Sequence, residues 1–258
     1  MKRSRGFKIR LLIGAAIILF SLFKYYSNRT TNPYTGKKQS IELTPEDEIA
    51  IGLHSAPQMA EQHGGLYPNQ QYQDLVKKVG YNLVNNSIAK ETPYRYNFHL
   101  LRDPQVINAF ALPGGQIFIT YALFSKLENE DQLAGVLGHE IGHVVGRHSA
   151  ERMAQQGLTQ DIISGVMVGS DANTGQMAAM IANVINMKYG RGDELESDEL
   201  GVKFMIEAGY EPEEMIGVME ILKSAAGSNR IPEFQNTHPD PENRIEKIKE
   251  AIEKYHKK

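Results

Sequence analysis

Residues 138–148 of the chain read GHEIGHVVGRH, and most of their neighbours are apolar. This composition predicts a buried helix. His139 and His143 are four positions apart, so on a helix their imidazoles project from one face and can reach one metal ion. Glu140, directly after the first histidine, can accept a proton from a water molecule at that ion. Because the pattern HExxH also occurs by chance, two histidines with ordinary structural roles are the alternative.

The same helix contains a further histidine towards its C-terminal end. Asn129 with Gln132 three residues later predicts a helix start, and we expect the helix to run to about Met153. The metzincin pattern HExxHxxGxxH would place a third ligand where this chain has Ser149, and His148 comes one residue early. Since His148 lies about 140° round the helix from the second histidine of the motif, we interpret it as a supporting or structural residue rather than a ligand.

An acidic stretch some fifty residues later offers a third ligand. Residues 193–198 read DELESD. Glu194 and Asp198 share a helix face, so one can bind zinc while the other accepts a hydrogen bond from a ligating imidazole and fixes its tautomer. Glu196 projects about 200° away from Glu194. This spacing favours Glu194 over Glu196 as the ligand, while a solvated acidic helix start is the alternative to any metal role.

Four motifs in this order resemble one known family. They are NAFALPGG at 108–115, GHEIGHVVGRH at 138–148, ELESDELG at 194–201 and THPDPENRI at 237–245. Together they resemble the forty-eighth family of metallopeptidases, which includes the HtpX, BepA, Oma-type and CAAX-prenyl-protease enzymes. The resemblance covers roughly residues 44–258. It implies a gluzincin-type α+β fold that is mostly helical, with a small β-sheet beside the active-site helix.

The resemblance also implies roles for individual residues. Glu194 would be the third zinc ligand and Asp198 the partner of a ligating imidazole. Ser197 departs from the alanine that the family usually has, which is a small change. His238 resembles a family histidine near the zinc that can stabilise the oxyanion or occupy the open coordination position and hold the enzyme latent. Arg244 matches the arginine of the same motif, and we expect it to anchor that loop.

The segment VINAFALPGGQIFIT at 106–120 is expected to form two short strands broken at residues 113–115, which begin with Pro113. A further strand is predicted over residues 94–101, where aromatic residues alternate. The resemblance implies that the broken segment contributes the edge strand of the active-site cleft, where an extended substrate pairs with its main chain. An ordinary buried hairpin is the alternative.

The N-terminus has the pattern of an export signal. Residues 1–10 contain five basic residues and no acid, and residues 11–23 carry no charge. We therefore expect residues 1–26 to be an uncleaved signal anchor or a cleaved signal peptide, a buried helix being the third alternative. Residues 27–43 are polar and predict a linker, which leaves 44–258 as the zinc metallopeptidase domain. The basic flank favours a bacterial envelope, with the catalytic domain on the periplasmic side, over a mitochondrial inner membrane.

Composition excludes several classes of function. The 258 residues carry a net charge of −3, which argues against nucleic acid as a partner. Cysteine is absent, so disulfide frameworks, thiolate zinc sites and cysteine nucleophiles are excluded. The methionine-rich stretch 157–190 is interrupted by polar residues, and we interpret it as core or lid helices rather than a membrane span.

These observations lead to one expected activity with two alternatives. We expect a zinc-dependent endopeptidase with one Zn²⁺ per chain, bound by His139, His143 and Glu194, with Glu140 as general base and His238 as a catalytic helper or latch. Its expected substrates are polypeptides, misfolded or membrane-associated, and its membrane contact is the N-terminal segment. A chaperone-like quality-control protein with little proteolysis is the first alternative, and a zinc amidase or esterase is the second. The sequence does not indicate an oligomeric state.

Overall fold

The structure is a computed structural model that describes residues 29–157, 183–184, 188–225, 233–239 and 243–256. In these ranges the chain forms a mostly helical α+β fold with small sheets, which confirms the predicted fold class. The helices in chain order are α1 (Pro45–Gln62), α2 (Gln70–Asn85), α3 (Tyr121–Phe124), α4 (Glu130–Val145), α5 (His148–Gln155), α6 (Arg191–Glu207), α7 (Glu214–Ala225), α8 (Glu233–Thr237) and α9 (Arg244–His256). The strands are β1 (Arg29–Thr31), β2 (Lys38–Ser40), β3 (Asn97–Leu101), β4 (Ala109–Ala111) and β5 (Gln116–Thr120).

The expected signal segment 1–26 and most of the methionine-rich stretch 157–190 lie outside the described residues. Among the helices that the structure describes, none combines the length and the hydropathy needed to cross a membrane.

A three-stranded sheet lies beside the helices in the order β3–β5–β4. The central strand β5 runs parallel to β3 and antiparallel to β4. Between β4 and β5 the chain turns at Gly114, whose φ of 76° lies in the left-handed region that favours glycine. The two short strands broken at Pro113 are therefore confirmed, and in the described residues β4 is an edge of this sheet.

Helices α4 and α6 cross at very short distance in the centre of the core. A Cβ atom added to Gly138 would lie 3.3 Å from the Cα of Gly201, and one added to Gly142 would lie 2.9 Å from the Cα of Ser197. Only small residues permit such an approach. The small residues on both helices at the crossing thus allow the acidic residues of α6 to reach the histidines of α4.

The helix that we expected to reach Met153 ends earlier, at Val145. Arg147 adopts a left-handed conformation with φ 57°, and α5 begins at the next residue. Its guanidinium donates from Nε to Glu48 Oε1 at 2.8 Å and from Nη2 to the Leu43 carbonyl at 2.8 Å. These contacts with α1 and with the segment before α1 stabilise Arg147 in the conformation that separates α4 from α5. The residues of the helix do not by themselves predict this separation.

The segment expected as a linker is instead folded over residues 29–40. β1 and β2 form an antiparallel hairpin, and Asn32 in its turn is buried. Asn32 Nδ2 donates to the Val145 carbonyl at 2.8 Å, and Gln39 Nε2 donates to the Gly146 carbonyl. A helix end leaves carbonyls without intrahelical partners. The polar residues that resembled a solvated tether satisfy these carbonyls at the end of α4.

Candidate metal centre

Four buried side chains direct ligand atoms to one point between α4 and α6. His139, His143, Glu194 and His238 each offer one atom, and these atoms all lie within 4.8 Å of one another. The two Nε2 atoms of the α4 histidines are 3.0 Å apart. Glu194 Oε2 lies 3.6 Å from His139 Nε2, and Oε1 lies 3.5 Å from His143 Nε2. The crossing of the two helices thus brings together side chains that are separated by about fifty residues in sequence.

The donor set fits a divalent cation. It consists of imidazole nitrogens and a carboxylate oxygen, ligands typical of zinc and related metals. Glu194 Oε2 is buried and makes no hydrogen bond with the residues that the structure describes. Burial lowers the pKa of His143 well below its usual range, so its imidazole is neutral, which is the form that binds metals.

His238 contributes a fourth atom to the same cluster. It follows α8, and its Nδ1 lies 3.0 Å from Glu194 Oε1 and 3.2 Å from His139 Nε2. Burial by itself raises the pKa of Glu194, but the charges and hydrogen bonds of the surrounding histidines hold that pKa well below its usual range. The carboxylate is therefore ionised, as a metal ligand must be.

Glu140 points towards the same cluster with an unsatisfied carboxylate. Both of its oxygens are buried and lack a hydrogen-bond partner among the described residues. Oε1 lies 3.7 Å from His238 Nε2. Burial raises the pKa of Glu140 above its usual value. A buried carboxylate without a partner is costly to maintain in a folded protein, and such groups concentrate at functional sites.

Asp198 and Arg244 fix the orientation of His139. Asp198 Oδ1 lies 2.8 Å from His139 Nδ1, which leaves Nε2 facing the cluster. Arg244 donates to both oxygens of Asp198, at 2.6 Å and 2.9 Å. Burial by itself raises the pKa of Asp198, but Arg244 and His139 together lower it below its usual value. Arg244, which we expected only to anchor its loop, therefore contacts the carboxylate that orients a predicted ligand.

His148 and Glu196 lie beside the cluster and outside it. His148 Nδ1 is 2.9 Å from His143 Nδ1, on the side of that ring opposite to the ligand atoms. Glu196 points away from the four ligand atoms and contacts His148 instead. The structure therefore groups Glu194, rather than Glu196, with the two histidines of the motif.

Tyr189 is a site neighbour that the sequence analysis missed. Its ring stacks on His143 with centroids 3.8 Å apart, and its hydroxyl lies 3.1 Å from Ser149 Oγ. Its backbone N–H donates to the Thr237 carbonyl next to His238. No periodicity or motif singles this residue out, because its position depends on where the chain enters α6.

Comparisons with known proteins identify the family of this chain. Residues 70–252 match the model of Peptidase family M48. The beta-barrel assembly-enhancing protease of Escherichia coli K12 is 32% identical over 181 residues, which cover 66% of this chain and 37% of that protein. The mitochondrial metalloendopeptidase OMA1 of Schizosaccharomyces pombe is 34% identical over 249 residues, which cover 94% of this chain and 70% of that protein. The metalloprotease YcaL of Escherichia coli is 28% identical over 218 residues, covering 83% of each.

The match covers well over half of the chain and includes both helices of the metal centre. The chain spans little more than a third of the length of the beta-barrel assembly-enhancing protease and most of the length of the other two relatives. The chain belongs to peptidase family M48.

Proposed function

We propose that this protein is a zinc-dependent endopeptidase that hydrolyses polypeptides in the cell envelope. The observation that carries the proposal is the convergence of His139, His143 and Glu194, beside a Glu140 carboxylate that makes no hydrogen bond with the described residues. Three protein ligands of this kind, next to a glutamate that can act as general base, form the usual arrangement of a hydrolytic zinc site. The family and the names of the relatives support the same reaction class.

A zinc ion at this position would lower the pKa of a water molecule towards about 7 and polarise the scissile carbonyl. Glu140 accepts the proton of the attacking water on its carboxylate and then delivers it to the leaving amine, so the carboxylate is regenerated. Burial raises the pKa of Glu140, which makes its carboxylate a better proton acceptor than an exposed glutamate. Asp198, held by Arg244, keeps the proton of His139 on Nδ1.

We propose that His238 holds the resting enzyme in a latent form. A catalytic zinc site keeps one position open, whereas four protein ligands are typical of closed, structural sites. The position of His238 Nδ1 within the ligand cluster supports this role. Withdrawal of the His238 imidazole from the cluster would open the site, and a small displacement would leave it near enough to stabilise the oxyanion.

An extended polypeptide is the substrate that fits the sheet. β4 packs beside α4 and is an edge strand in the described part of the sheet. An extended peptide can pair with the main chain of a strand at such an edge. A small amide or ester lacks such a backbone, so this edge favours the peptidase over the amidase or esterase alternative.

The cellular setting that we propose is the bacterial envelope, with residues 1–26 as anchor or signal and the rest of the chain on the periplasmic side. The basic flank of this segment and the likeness to the beta-barrel assembly-enhancing protease support it. A chaperone-like protein with little proteolysis is the second candidate, and the closed arrangement of four donors favours it for the resting state.

Zinc content and casein cleavage of the full chain test these proposals together. The measurement compares the parent with His238→Ala, with and without a chelator. We expect about one zinc per chain in both, and chelator-sensitive cleavage that is stronger in His238→Ala. Zinc without cleavage in either protein would favour the chaperone-like candidate. A chain that binds no zinc would overturn the metal site.

A further inference from the structure

We propose that His148, Glu196 and Lys37 form a hydrogen-bonded relay that orients the imidazole of His143. The relay runs from the predicted ligand on α4, through a histidine at the start of α5 and a glutamate on α6, to a lysine of the N-terminal hairpin. It rests on the metal site of the proposed function. It assigns positioning roles to three residues that bind neither metal nor substrate.

The proton positions along the relay follow from the geometry of His143. Its Nε2 faces His139 and Glu194, so metal binding requires the lone pair there and places the proton on Nδ1. This Nδ1–H can donate only to an acceptor, and His148 Nδ1 lies 2.9 Å away. His148 must then carry its own proton on Nε2.

The next contact accommodates that proton. His148 Nε2 lies 2.8 Å from Glu196 Oε2, so the imidazole donates to a carboxylate. His148 is completely buried, and a buried imidazole with both nitrogens hydrogen-bonded has its ring orientation and tautomer determined. Ser197 Oγ, at 3.3 Å from His148 Nδ1, can donate to the same acceptor and favours the same tautomer.

Lys37 completes the relay from the hairpin. Its Nζ donates to Glu196 Oε2 at 3.0 Å and to Asp193 Oδ1 at 2.8 Å. The hairpin is fixed in turn by Asn32 and Gln39, whose amides donate to the carbonyls at the end of α4. The folded N-terminal hairpin therefore supports the end of the ligand helix and the carboxylate that orients its second histidine.

The two histidines of the motif are thus oriented in different ways. His139 contacts a carboxylate directly, through Asp198, whereas His143 reaches Glu196 through an intervening imidazole. A separate metal ion is not needed to explain the group His148, Asp193 and Glu196. The ammonium of Lys37 already lies between the two carboxylates, and both nitrogens of His148 have partners.

The affinity of the full chain for Zn²⁺, measured by competition with a chelator, tests the relay. The variants are Glu196→Ala and His148→Leu, with Glu207→Ala on the same helix as the matched control. Outer partners of ligating histidines typically change metal affinity by about 10- to 100-fold. We expect a loss of that size in the two relay variants and no change in the control. His148→Asn, which can place an amide oxygen near the former Nδ1, should recover part of the affinity.

The absorption spectrum of the Co²⁺-loaded proteins supplies a second readout. A reoriented His143 changes the ligand field, whereas a general loss of stability does not. We expect altered bands in Glu196→Ala and the parent spectrum in Glu207→Ala. If His148→Leu does not fold, Lys37→Met tests the outer end of the relay, with a smaller loss in affinity expected.

The outcomes separate the relay from the proposed function. A parent that binds zinc, together with relay variants of unchanged affinity and spectrum, would overturn the relay and leave the peptidase proposal intact. A parent that binds neither Zn²⁺ nor Co²⁺ would overturn both.

Discussion

Gly142 faces Ser197 where the two helices of the metal centre cross, and a Cβ atom on the glycine would lie 2.9 Å from the serine Cα. This distance is shorter than ordinary packing permits, so the absence of a side chain at residue 142 determines how closely α6 approaches α4. Glu194 lies one turn before Ser197 on α6, and its reach to the histidines depends on this approach.

Substitution of the crossing glycine should therefore weaken the metal site. In Gly142→Ala, α6 must move away, and we expect at least a tenfold loss in zinc affinity with a destabilisation of about 1–3 kcal/mol. Gly192→Ala is the matched control on α6, since a Cβ there meets nothing within 4 Å. Zinc competition and denaturation of both variants measure the effect. Parent-like affinity in Gly142→Ala would show that the crossing tolerates a methyl group.

Removal of the Glu140 carboxylate should abolish catalysis while metal remains bound. In Glu140→Gln the ligand atoms are unchanged, but the amide cannot accept a proton, and general-base catalysis is typically worth about 10²–10⁴-fold in rate. The comparison is best made in the His238→Ala background, where latency does not obscure the loss. Peptide cleavage and zinc content are measured on the same samples. A zinc-loaded and active Glu140→Gln protein would contradict the assignment.

The two neighbouring glutamates of α6 should behave differently on substitution. Glu194→Ala removes an atom of the ligand cluster, so we expect loss of stoichiometric zinc. Glu196→Ala leaves all ligand atoms in place and should remain zinc-loaded at saturating metal, although with weaker affinity. Metal analysis of the purified variants distinguishes them, and the reverse pattern would make Glu196 the ligand.

The ion pair between α1 and the break after α4 should make stability depend on pH. Burial raises the pKa of Glu48 to about 7, although Arg147 and Tyr94 contact its carboxylate. The folded state therefore keeps a proton that the unfolded chain, with a pKa near 4.5, releases. Stability from this group is fully present below about pH 4.5 and is lost as the pH rises to about 7 and above.

Urea denaturation at pH 5 and pH 8 measures this contribution. Between these values the parent should lose about 2–3 kcal/mol from this group, and Glu48→Gln should lack that decrease. Glu46→Gln, at an exposed position of the same helix, is the matched control and should follow the parent. Equal pH dependence in the parent and Glu48→Gln would mean that Arg147 fully offsets the burial of the carboxylate.

Local spacing in the sequence was enough to find most of the candidate site. His139 and His143 share a face because a helix has 3.6 residues per turn, and the same rule favoured Glu194 over Glu196. The capping residues before α4 and the turn at Pro113 were also readable, because each depends on a few neighbouring residues.

The features that local sequence patterns do not indicate are contacts between distant segments. The break at Arg147 depends on Glu48 and the Leu43 carbonyl, about a hundred residues away. The hairpin at 29–40 consists mostly of polar residues, and its contacts with the carbonyls at the end of α4 and with the carboxylates of α6 make it part of the fold. Composition cannot distinguish a solvated polar linker from a polar segment whose side-chain amides form hydrogen bonds with the rest of the fold.

The sequence by itself determined the mostly helical character and the chemistry offered by the histidines and acids, because helix periodicity is a local property. The four motifs in their order determined the family, because they can be recognised along the chain without knowledge of how it packs. Only the tertiary structure decided how these groups meet. The close crossing at Gly142 and Ser197 brings Glu194 to the histidines, the loop after α8 brings His238 into the same cluster, and the N-terminal hairpin brings Lys37 to Glu196. Such meetings depend on packing between distant segments, for which a single sequence contains no periodic signal.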